Sequence, residues 1–418
     1  MTQQSDKPVF FYGWYIVMIG ALSLFFSGAG QTYSNAIFID YYIEDFNWGR
    51  SLVSGIYSAA TFLAGMLLFK VGSSIDKFGT RKVSLTVSVL LAFAAIWNSY
   101  VIAPWMLFIG FFLIRLLGQG SMTLVANTLV PQWFIVKRGR ALSLMMIGGF
   151  ISSTAFPPMV AWLIEGFGWQ TTWRVLGVMI LVIFVPIVYF FMKDKPEDIG
   201  LLPDNKSSKD ELETSTGRKK TVSDISWTLK EAKKTRQFWL LLLCVSIPSM
   251  LNTGLTFHLI SMMGGNGLSP TQGAFILSLM AAVGFPVTMA AGFVLEKVRA
   301  NYIFALVFVG QFLFLIILLL TDSFVMAIVF GVVWGFVGGI ERIVISYIFP
   351  DYFGRKHIGS IKGIAQTMTV IGSAFGPLPF GFAYDYFGGY TEILLVMFIF
   401  PAFGIVASLL ASKPEKTT

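Results

Sequence analysis

The chain has 418 residues, of which 56% are hydrophobic and only 12% are charged. A soluble globular domain carries about 25% charged residues, so this composition excludes a soluble protein and predicts one that crosses a membrane many times. A single cysteine excludes a disulfide framework and a cysteine-based metal site. The net charge of +8 does not call for a nucleic-acid partner, because the basic residues are concentrated in the loops.

Twelve apolar runs are separated by charged, glycine or proline breaks, and each is near the 20 residues that a helix needs to span a bilayer. We number them span 1 to span 12 in chain order: 10–35, 50–73, 83–101, 104–129, 140–163, 172–192, 236–262, 270–294, 301–321, 324–349, 360–383 and 390–411. The polar segment 194–235 divides the spans six and six. The sequence therefore predicts an N-terminal half (1–193), a cytoplasmic linker (194–235) and a C-terminal half (236–418).

The basic residues indicate the orientation of the chain. Of its 30 lysines and arginines, nearly all fall in the tails, the linker and the even-numbered loops, or at the span ends that adjoin them. The exceptions are two on the side of the odd-numbered loops, Arg50 and Arg174, and two deep within spans, Arg115 and Arg342. Because basic loops stay in the cytoplasm, we expect a multi-pass protein of the cell (inner) membrane with both termini in the cytoplasm.

The two halves repeat at an offset of 220 residues. The corresponding pairs are Gly72 and Gly292, Asp76 and Glu296, Lys77 and Lys297, Gly139 and Gly359, and Pro157 and Pro377. A constant offset across several loops indicates a duplication. Two six-helix halves related in this way describe a transporter that rocks around a site near the midplane of the bilayer.

The loop after span 2 carries Gly72, Asp76, Lys77, Gly79 and Arg81. It resembles the G-x-x-x-D-R/K-x-G-R-R/K gating loop of the major facilitator superfamily. The resemblance implies an all-α membrane protein with 12 transmembrane helices in two pseudo-symmetric six-helix halves, the MFS fold. It also assigns these five residues to gating. We expect Asp76 to face the positive end of a helix from the other half, at 359–363, when the outer side is open.

Four further stretches, at 11–17, 47–51, 133–140 and 195–200, are similar to bacterial members of the monocarboxylate transporter branch. The animal carriers of that branch use a lysine in the first helix and an Asp–Arg pair in the eighth. Span 1 has no lysine and span 8 has no charge. The anion-binding residues of the branch therefore cannot be transferred to this chain.

The resemblance implies that spans 1, 4, 7 and 10 line the central cavity, so their polar residues are the candidates. For substrate binding these are Arg342, Arg115, Tyr33, Asn252 and His258; for proton coupling they are Glu341 and His258. A charge at bilayer depth costs about 2.5–3.5 kcal/mol, which makes an intramembrane charge a functional hypothesis.

Each candidate has an alternative role. Arg342 offers a planar fork to a carboxylate, or it extends toward the cytoplasmic end of its helix. Glu341 carries a proton, or it pairs with a cation from another span. Arg115 binds the substrate anion or offsets Glu341, or it is held by backbone carbonyls beside a glycine face. Tyr33 binds a carboxylate or is an interfacial aromatic. His258 titrates near neutral pH, or it is a packing residue.

The leading hypothesis is a secondary active transporter that moves a small organic anion, a monocarboxylate, by alternating access and symport with H+. The alternatives are an exporter of amphipathic compounds and a non-transporting membrane sensor with the same fold. No P-loop, nucleophile–base set or metal-ligand spacing occurs in the sequence, so we expect no enzyme activity, no cofactor and no metal. The expected partners are the substrate, H+ and the lipid bilayer, with no nucleic acid, and the expected state is a monomer.

Overall fold

The computed structural model describes residues 11–48, 50–205, 226–268 and 270–415. In these residues the chain forms helices and no β-strand. Ten of the helices found there are long and apolar enough to cross a membrane. Apolar runs of this length become helices because a backbone surrounded by lipid must satisfy its own N–H and C=O groups.

Two features account for the difference between these ten helices and the twelve predicted spans. The helical stretch Arg138–Phe191 is 54 residues long and holds two spans, since Gly168 breaks the helical geometry with φ 79° and ψ 159°. Span 11 is divided at Gly376 into two helices and is not among the ten. The prediction of an all-α membrane protein with twelve spans is therefore confirmed.

The helices of the N-terminal half are Gly13–Phe26 and Thr32–Phe46 (span 1), Arg50–Phe78 (span 2), Thr80–Asn98 (span 3), Pro104–Ile114 and Thr123–Trp133 (span 4), Arg138–Met179 (span 5 and the first part of span 6) and Val185–Phe191 (the rest of span 6). Those of the C-terminal half are Arg236–Gly265 (span 7), Pro270–Leu295 (span 8), Ala300–Leu319 (span 9), Phe324–Phe353 (span 10), Ile358–Phe375 and Pro377–Phe387 (span 11), and Thr391–Met397 and Ile399–Leu410 (span 12).

Short helical turns occupy the described ends of the predicted linker: Pro196–Ile199, Pro203–Asn205 and Leu229–Ala232. Residues 206–225, in the middle of that linker, lie outside the described residues, as do residues 1–10 and 416–418 of the predicted cytoplasmic tails. The boundaries of the halves at 193/194 and 235/236 stay predictions.

Two departures from α-helical geometry face each other inside the N-terminal half. Span 1 contains a 3-10 turn at Ser27–Gly30, and span 4 contains a π-helical stretch at Arg115–Met122. Gly30 lies so close to span 4 that a Cβ atom there would stand 2.2 Å from the carbonyl oxygen of Ile114. Only glycine fits this crossing, and each irregular stretch leaves backbone groups that need a partner outside the regular helix pattern.

The halves meet along two pseudo-equivalent helix pairs, span 2 with span 11 and span 5 with span 8. A Cβ atom at Gly72 would stand 2.2 Å from the carbonyl oxygen of Gly359, and one at Gly139 would stand 2.1 Å from that of Gly292. These four glycines are two pairs of the 220-residue repeat. Small residues let backbones approach closely, and the repeat places that close approach at both crossings.

Candidate functional site

A cavity of about 290 Å³ lies among spans 7, 8, 10 and 11 of the C-terminal half. Its wall combines hydroxyl and amide groups with apolar surface, one glutamate and one arginine. The residues that line it are Ser249, Asn252, Thr253, Thr256, Met280, Trp334, Gly335, Gly338, Glu341, Arg342, Ile345 and Thr369. Of the predicted site residues, the cavity brings together Asn252, Glu341 and Arg342.

Glu341 is buried on the span 7 and span 9 side of its helix, with 7% of its surface exposed. Asn252 donates through Nδ2 to its Oε1 at 2.9 Å, and Gln311 donates through Nε2 to its Oε2 at 3.2 Å. Trp334 donates through Nε1 to Asn252 Oδ1 at 2.8 Å, which fixes the Asn252 amide with its donor toward Glu341. Two neutral amides, rather than a cation from another span, hold this carboxyl group.

Arg342 follows Glu341 in the chain but faces another way. Successive residues on an α-helix point about 100° apart, so Arg342 is exposed on the cavity while Glu341 is buried. Among the described residues, its guanidinium makes no hydrogen bond and no ion pair. Its donors therefore point into the cavity without a protein acceptor, an arrangement that suits binding of an anion.

Arg115 is 5% exposed and lies in the N-terminal half, at the start of the π-helical stretch of span 4. Its Nη1 donates to Gly30 O at 3.1 Å and to Thr32 Oγ1 at 3.2 Å, and its Nε donates to Thr61 Oγ1 at 3.1 Å. Its guanidinium also lies 5.0 Å from the centre of the Tyr57 ring. The break in span 1 exposes a carbonyl, and Arg115 satisfies it. The side chain of Arg115 thus binds groups of spans 1 and 2, and not Glu341.

Tyr33 and His258 do not line the described cavity. The Tyr33 hydroxyl is 2.7 Å from Ser152 Oγ and links spans 1 and 5. His258 stacks on Phe380 with ring centres 5.9 Å apart, and its Nδ1 is 3.3 Å from the Tyr390 hydroxyl. Both side chains have packing contacts in this structure, and their substrate and coupling roles stay predictions.

Asp76 joins the two halves at their predicted cytoplasmic ends. Its Oδ1 accepts from Gly359 N at 2.8 Å and its Oδ2 accepts from Ser360 N at 2.7 Å. These N–H groups begin the helix Ile358–Phe375, whose first turn has unpaired donors and the positive end of the helix dipole. This is the contact that the sequence predicts for Asp76; the gating role itself stays a prediction.

The second copy of the loop makes the equivalent contact. Glu296 Oε1 accepts from Arg140 N at 3.1 Å, and Arg140 Nε donates to Glu296 Oε2 at 2.8 Å. Glu296 and Arg140 are the repeat partners of Asp76 and Ser360. The two copies of the loop differ in sequence, but each places a carboxylate at the start of a helix in the other half.

The other residues of the first loop support it locally. Gly79 has φ 87°, a conformation that glycine adopts without strain. The backbone N–H of Arg81 donates to Asp194 Oδ1 at 2.7 Å, and its guanidinium donates to the Tyr189 carbonyl. Lys77 is exposed, 5.0 Å from the centre of the Phe78 ring. Arg81 therefore anchors span 3 to the end of span 6 rather than to the opposite half.

The loop between spans 10 and 11 contacts both the N-terminal half and the first turn of the linker. Gln132 donates through Nε2 to Arg355 O at 2.6 Å, and Arg355 donates through Nη1 to Gln132 O at 2.8 Å. Arg355 also hydrogen-bonds to Glu197. Burial alone raises the pKa of Glu197, but the Arg355 hydrogen bond and charge outweigh it and hold that pKa below its ordinary value.

Lys362 is a buried charge that sequence reasoning misses. On sequence alone it belongs with the basic residues at the inner end of span 11, but only 5% of it is exposed. Its Nζ donates to Asn127 O of span 4 at 2.9 Å and to Ser346 O of span 10 at 2.7 Å. One ammonium group thus bridges carbonyls from the two halves. The only indication of this burial in the sequence is that Lys362 lies inside the predicted bounds of span 11.

Comparisons with known proteins agree with this architecture. The sequence profile described as "Major Facilitator Superfamily" matches residues 20–377. Monocarboxylate transporter 13 of Rattus norvegicus is 24% identical over 98% of this chain and 91% of its own length. The 4-hydroxybenzoate transporter PcaK of Acinetobacter baylyi is 24% identical over 95% of this chain and 90% of its own.

Among solved structures, the transporter FucP, in the outward conformation, superposes with a TM-score of 0.72 at 14% identity, over 95% of this chain and 99% of that one. The match at this identity shows the fold. The family profile, which covers most of the sequence, establishes that the chain belongs to the Major Facilitator Superfamily.

Proposed function

We propose that the chain is a secondary active transporter that carries a small organic anion, a monocarboxylate, across the cytoplasmic membrane by alternating access. The observation that carries the proposal is Arg342, whose guanidinium faces a cavity of about 290 Å³ with no carboxylate bound to it among the described residues. Two related proteins named for a monocarboxylate and for 4-hydroxybenzoate support the same substrate class.

The cavity suits an anion with one charged end and an apolar body. A carboxylate takes two parallel N–H donors from a guanidinium fork, and one such fork serves one carboxylate. Met280, Trp334 and Ile345 offer apolar surface beside it. The hydroxyl groups of the wall are few and short, which disfavours a sugar.

We propose that Glu341 couples this transport to H+. Its carboxyl group lies beside the substrate site but is held by neutral amides. A carboxyl group that has no cation as a hydrogen-bond partner is able to exist with or without its proton as the surroundings change. Protonation removes a negative charge next to Arg342 and thereby raises the affinity of the site for an anion.

The contacts at the predicted cytoplasmic ends support an outward-facing state. Asp76, Glu296 and Lys362 each join the two halves there. In the proposed cycle these contacts break when the halves rock, the inner side opens, and the substrate leaves toward the cytoplasm. The orientation of the chain in the membrane is part of this proposal.

Uptake into proteoliposomes tests the proposal. Radiolabelled lactate and 4-hydroxybenzoate are offered with and without an imposed pH gradient, acid outside. We expect uptake of at least one of them by the wild type, stimulated by the gradient. Arg342→Ala removes it, while Arg174→Ala, a matched change of an exposed arginine near the predicted outer end of span 6, leaves it intact. Glu341→Gln keeps exchange of substrate for substrate but loses the response to the gradient.

The alternatives predict different results. An exporter of amphipathic compounds retains its transport in Arg342→Ala, because an apolar cavity needs no anion clamp. A non-transporting sensor gives no flux in the wild type. Carboxylate uptake that ignores both the pH gradient and the gradient of the anion itself contradicts coupled transport.

A further inference from the structure

A second pocket, of about 330 Å³, lies outside the transport cavity. It lies among the start of span 1, the start of span 5 and the end of span 8, at the predicted cytoplasmic face. The residues that line it are Trp14, Lys137, Arg140, Ser143, Leu144, Met289 and Phe293. Neither the candidate transport site nor the family resemblance assigns it a role.

The polar end of this pocket offers positive charge with free donors. Lys137 is exposed, and its ammonium group makes no ion pair or hydrogen bond within the described part of the chain. Arg140 uses its Nε and its backbone N–H for Glu296, which leaves its two terminal nitrogens with no hydrogen bond in the same part of the chain. Asp204, the other nearby carboxylate, accepts the backbone N–H groups of residues 135–137.

The other end of the pocket is apolar and opens sideways. Leu144 is 41% exposed and Phe293 is 52% exposed. Both are apolar residues on membrane-spanning helices, so we assign the surface they present to the lipid side. Trp14 also lines the pocket and packs on Phe134 with ring centres 4.9 Å apart. Tryptophan at this depth is typical of the level of the lipid headgroups.

We propose that this pocket binds an anionic glycerophospholipid of the cytoplasmic leaflet, with its phosphate between Lys137 and Arg140 and an acyl chain along Leu144 and Phe293. Basic pockets between transmembrane helices on the cytoplasmic side bind anionic headgroups, and the sideways opening favours a lipid over a soluble anion. Arg140 also joins the halves through Glu296. A lipid on this arginine therefore binds the closed inner face and stabilises it.

Native mass spectrometry of the purified full chain tests the proposal, with phosphatidylglycerol and phosphatidylcholine of identical acyl chains as probes. We expect preferential retention of phosphatidylglycerol by the wild type. Lys137→Gln weakens it about fivefold, the loss that one basic residue near an anionic surface produces. Lys82→Gln, a matched change of an exposed lysine in the first turn of span 3 on the same face, leaves it unchanged.

Leu144→Trp gives an independent test, because it narrows the apolar end without touching a charge. We expect it to reduce retention of phosphatidylglycerol and the rise in melting temperature that this lipid causes. Three results overturn the proposal: equal retention of the two lipids, equal losses in Lys137→Gln and Lys82→Gln, or displacement of the lipid by soluble glycerol phosphate, which identifies a site for a free anion.

Discussion

Replacing Asp76 with asparagine weakens the contact that holds the inner ends of the two halves together. The carboxylate accepts two backbone N–H groups, at 2.8 and 2.7 Å, from the first turn of span 11. Asparagine keeps one acceptor oxygen but places an NH₂ group against the second N–H donor, and it removes the negative charge from the helix N-terminus. The inner-closed state loses stability, and the inner-open state does not.

The size of this effect follows from the two contacts. A hydrogen bond to a charged group contributes about 1.5–3 kcal/mol, and a charge at a helix N-terminus contributes about 0.3–1 kcal/mol. Losing one such hydrogen bond and the charge at the helix N-terminus destabilises the inner-closed state by about 2–4 kcal/mol. Since about 1.4 kcal/mol changes an equilibrium tenfold, the ratio of inner-open to inner-closed molecules rises by about 30- to 700-fold.

Spin labels at Ser73 and Lys356 measure this ratio by the distance between them. Both positions are exposed and lie on opposite halves at the predicted cytoplasmic face, and the single cysteine, Cys244, is buried and is replaced beforehand. We expect one short distance in the parent protein and a second, longer population in Asp76→Asn. Asp322→Asn, an exposed acid at the opposite face, is the control. An unchanged distance distribution in Asp76→Asn, or an equal change in the control, refutes the reasoning.

Three further changes test other parts of the structure. Gly72→Ala puts a Cβ 2.2 Å from a backbone carbonyl of span 11. This clash destabilises the inner-closed state by about 1–3 kcal/mol, so we expect the inner side to open in the same distance measurement. Gly166→Ala, where the new Cβ has no atom within 4 Å, leaves the distances unchanged. Arg115→Met leaves a buried carbonyl of span 1 unpaired, so we expect a lower melting temperature even without ligand, and an unchanged one contradicts the structural role. Because Arg355 holds the pKa of Glu197 below its ordinary value, this contact is complete above that ordinary value and is lost as pH falls through the lowered one. The protection factor of the loop 354–357, which is its hydrogen-exchange rate compared with the intrinsic rate at each pH, therefore falls toward acid pH in the wild type, and Glu197→Gln removes this fall.

The sequence predicts the spans and the inner contacts well, because both follow from local patterns. Apolar run length identifies the twelve spans, and the break at Gly168 falls between the fifth and the sixth. The loop motif predicts where Asp76 binds, and the 220-residue offset pairs Asp76 with Glu296. Its repeat partner Glu296 keeps the same contact although the surrounding motif has decayed.

The surroundings of the charged residues could not be predicted in the same way. Which side chains meet Glu341 depends on the rotation and tilt of spans 7 and 9 about their axes, which an apolar sequence leaves undetermined. The sequence therefore suggested a cationic partner, where the structure has Asn252 and Gln311. Lys362 lies only one turn inside span 11. Its position along the helix therefore does not distinguish a buried side chain from one that extends to the cytoplasm.

The central claim is that Arg342 binds the carboxylate of the substrate. The most direct measurement is the shift in melting temperature of the purified protein across a panel of monocarboxylates and their neutral amides, for the wild type, Arg342→Ala and Arg174→Ala. We expect that at least one carboxylate, and not its amide, stabilises the wild type and Arg174→Ala but has no effect on Arg342→Ala. Equal stabilisation of Arg342→Ala by that carboxylate would contradict it.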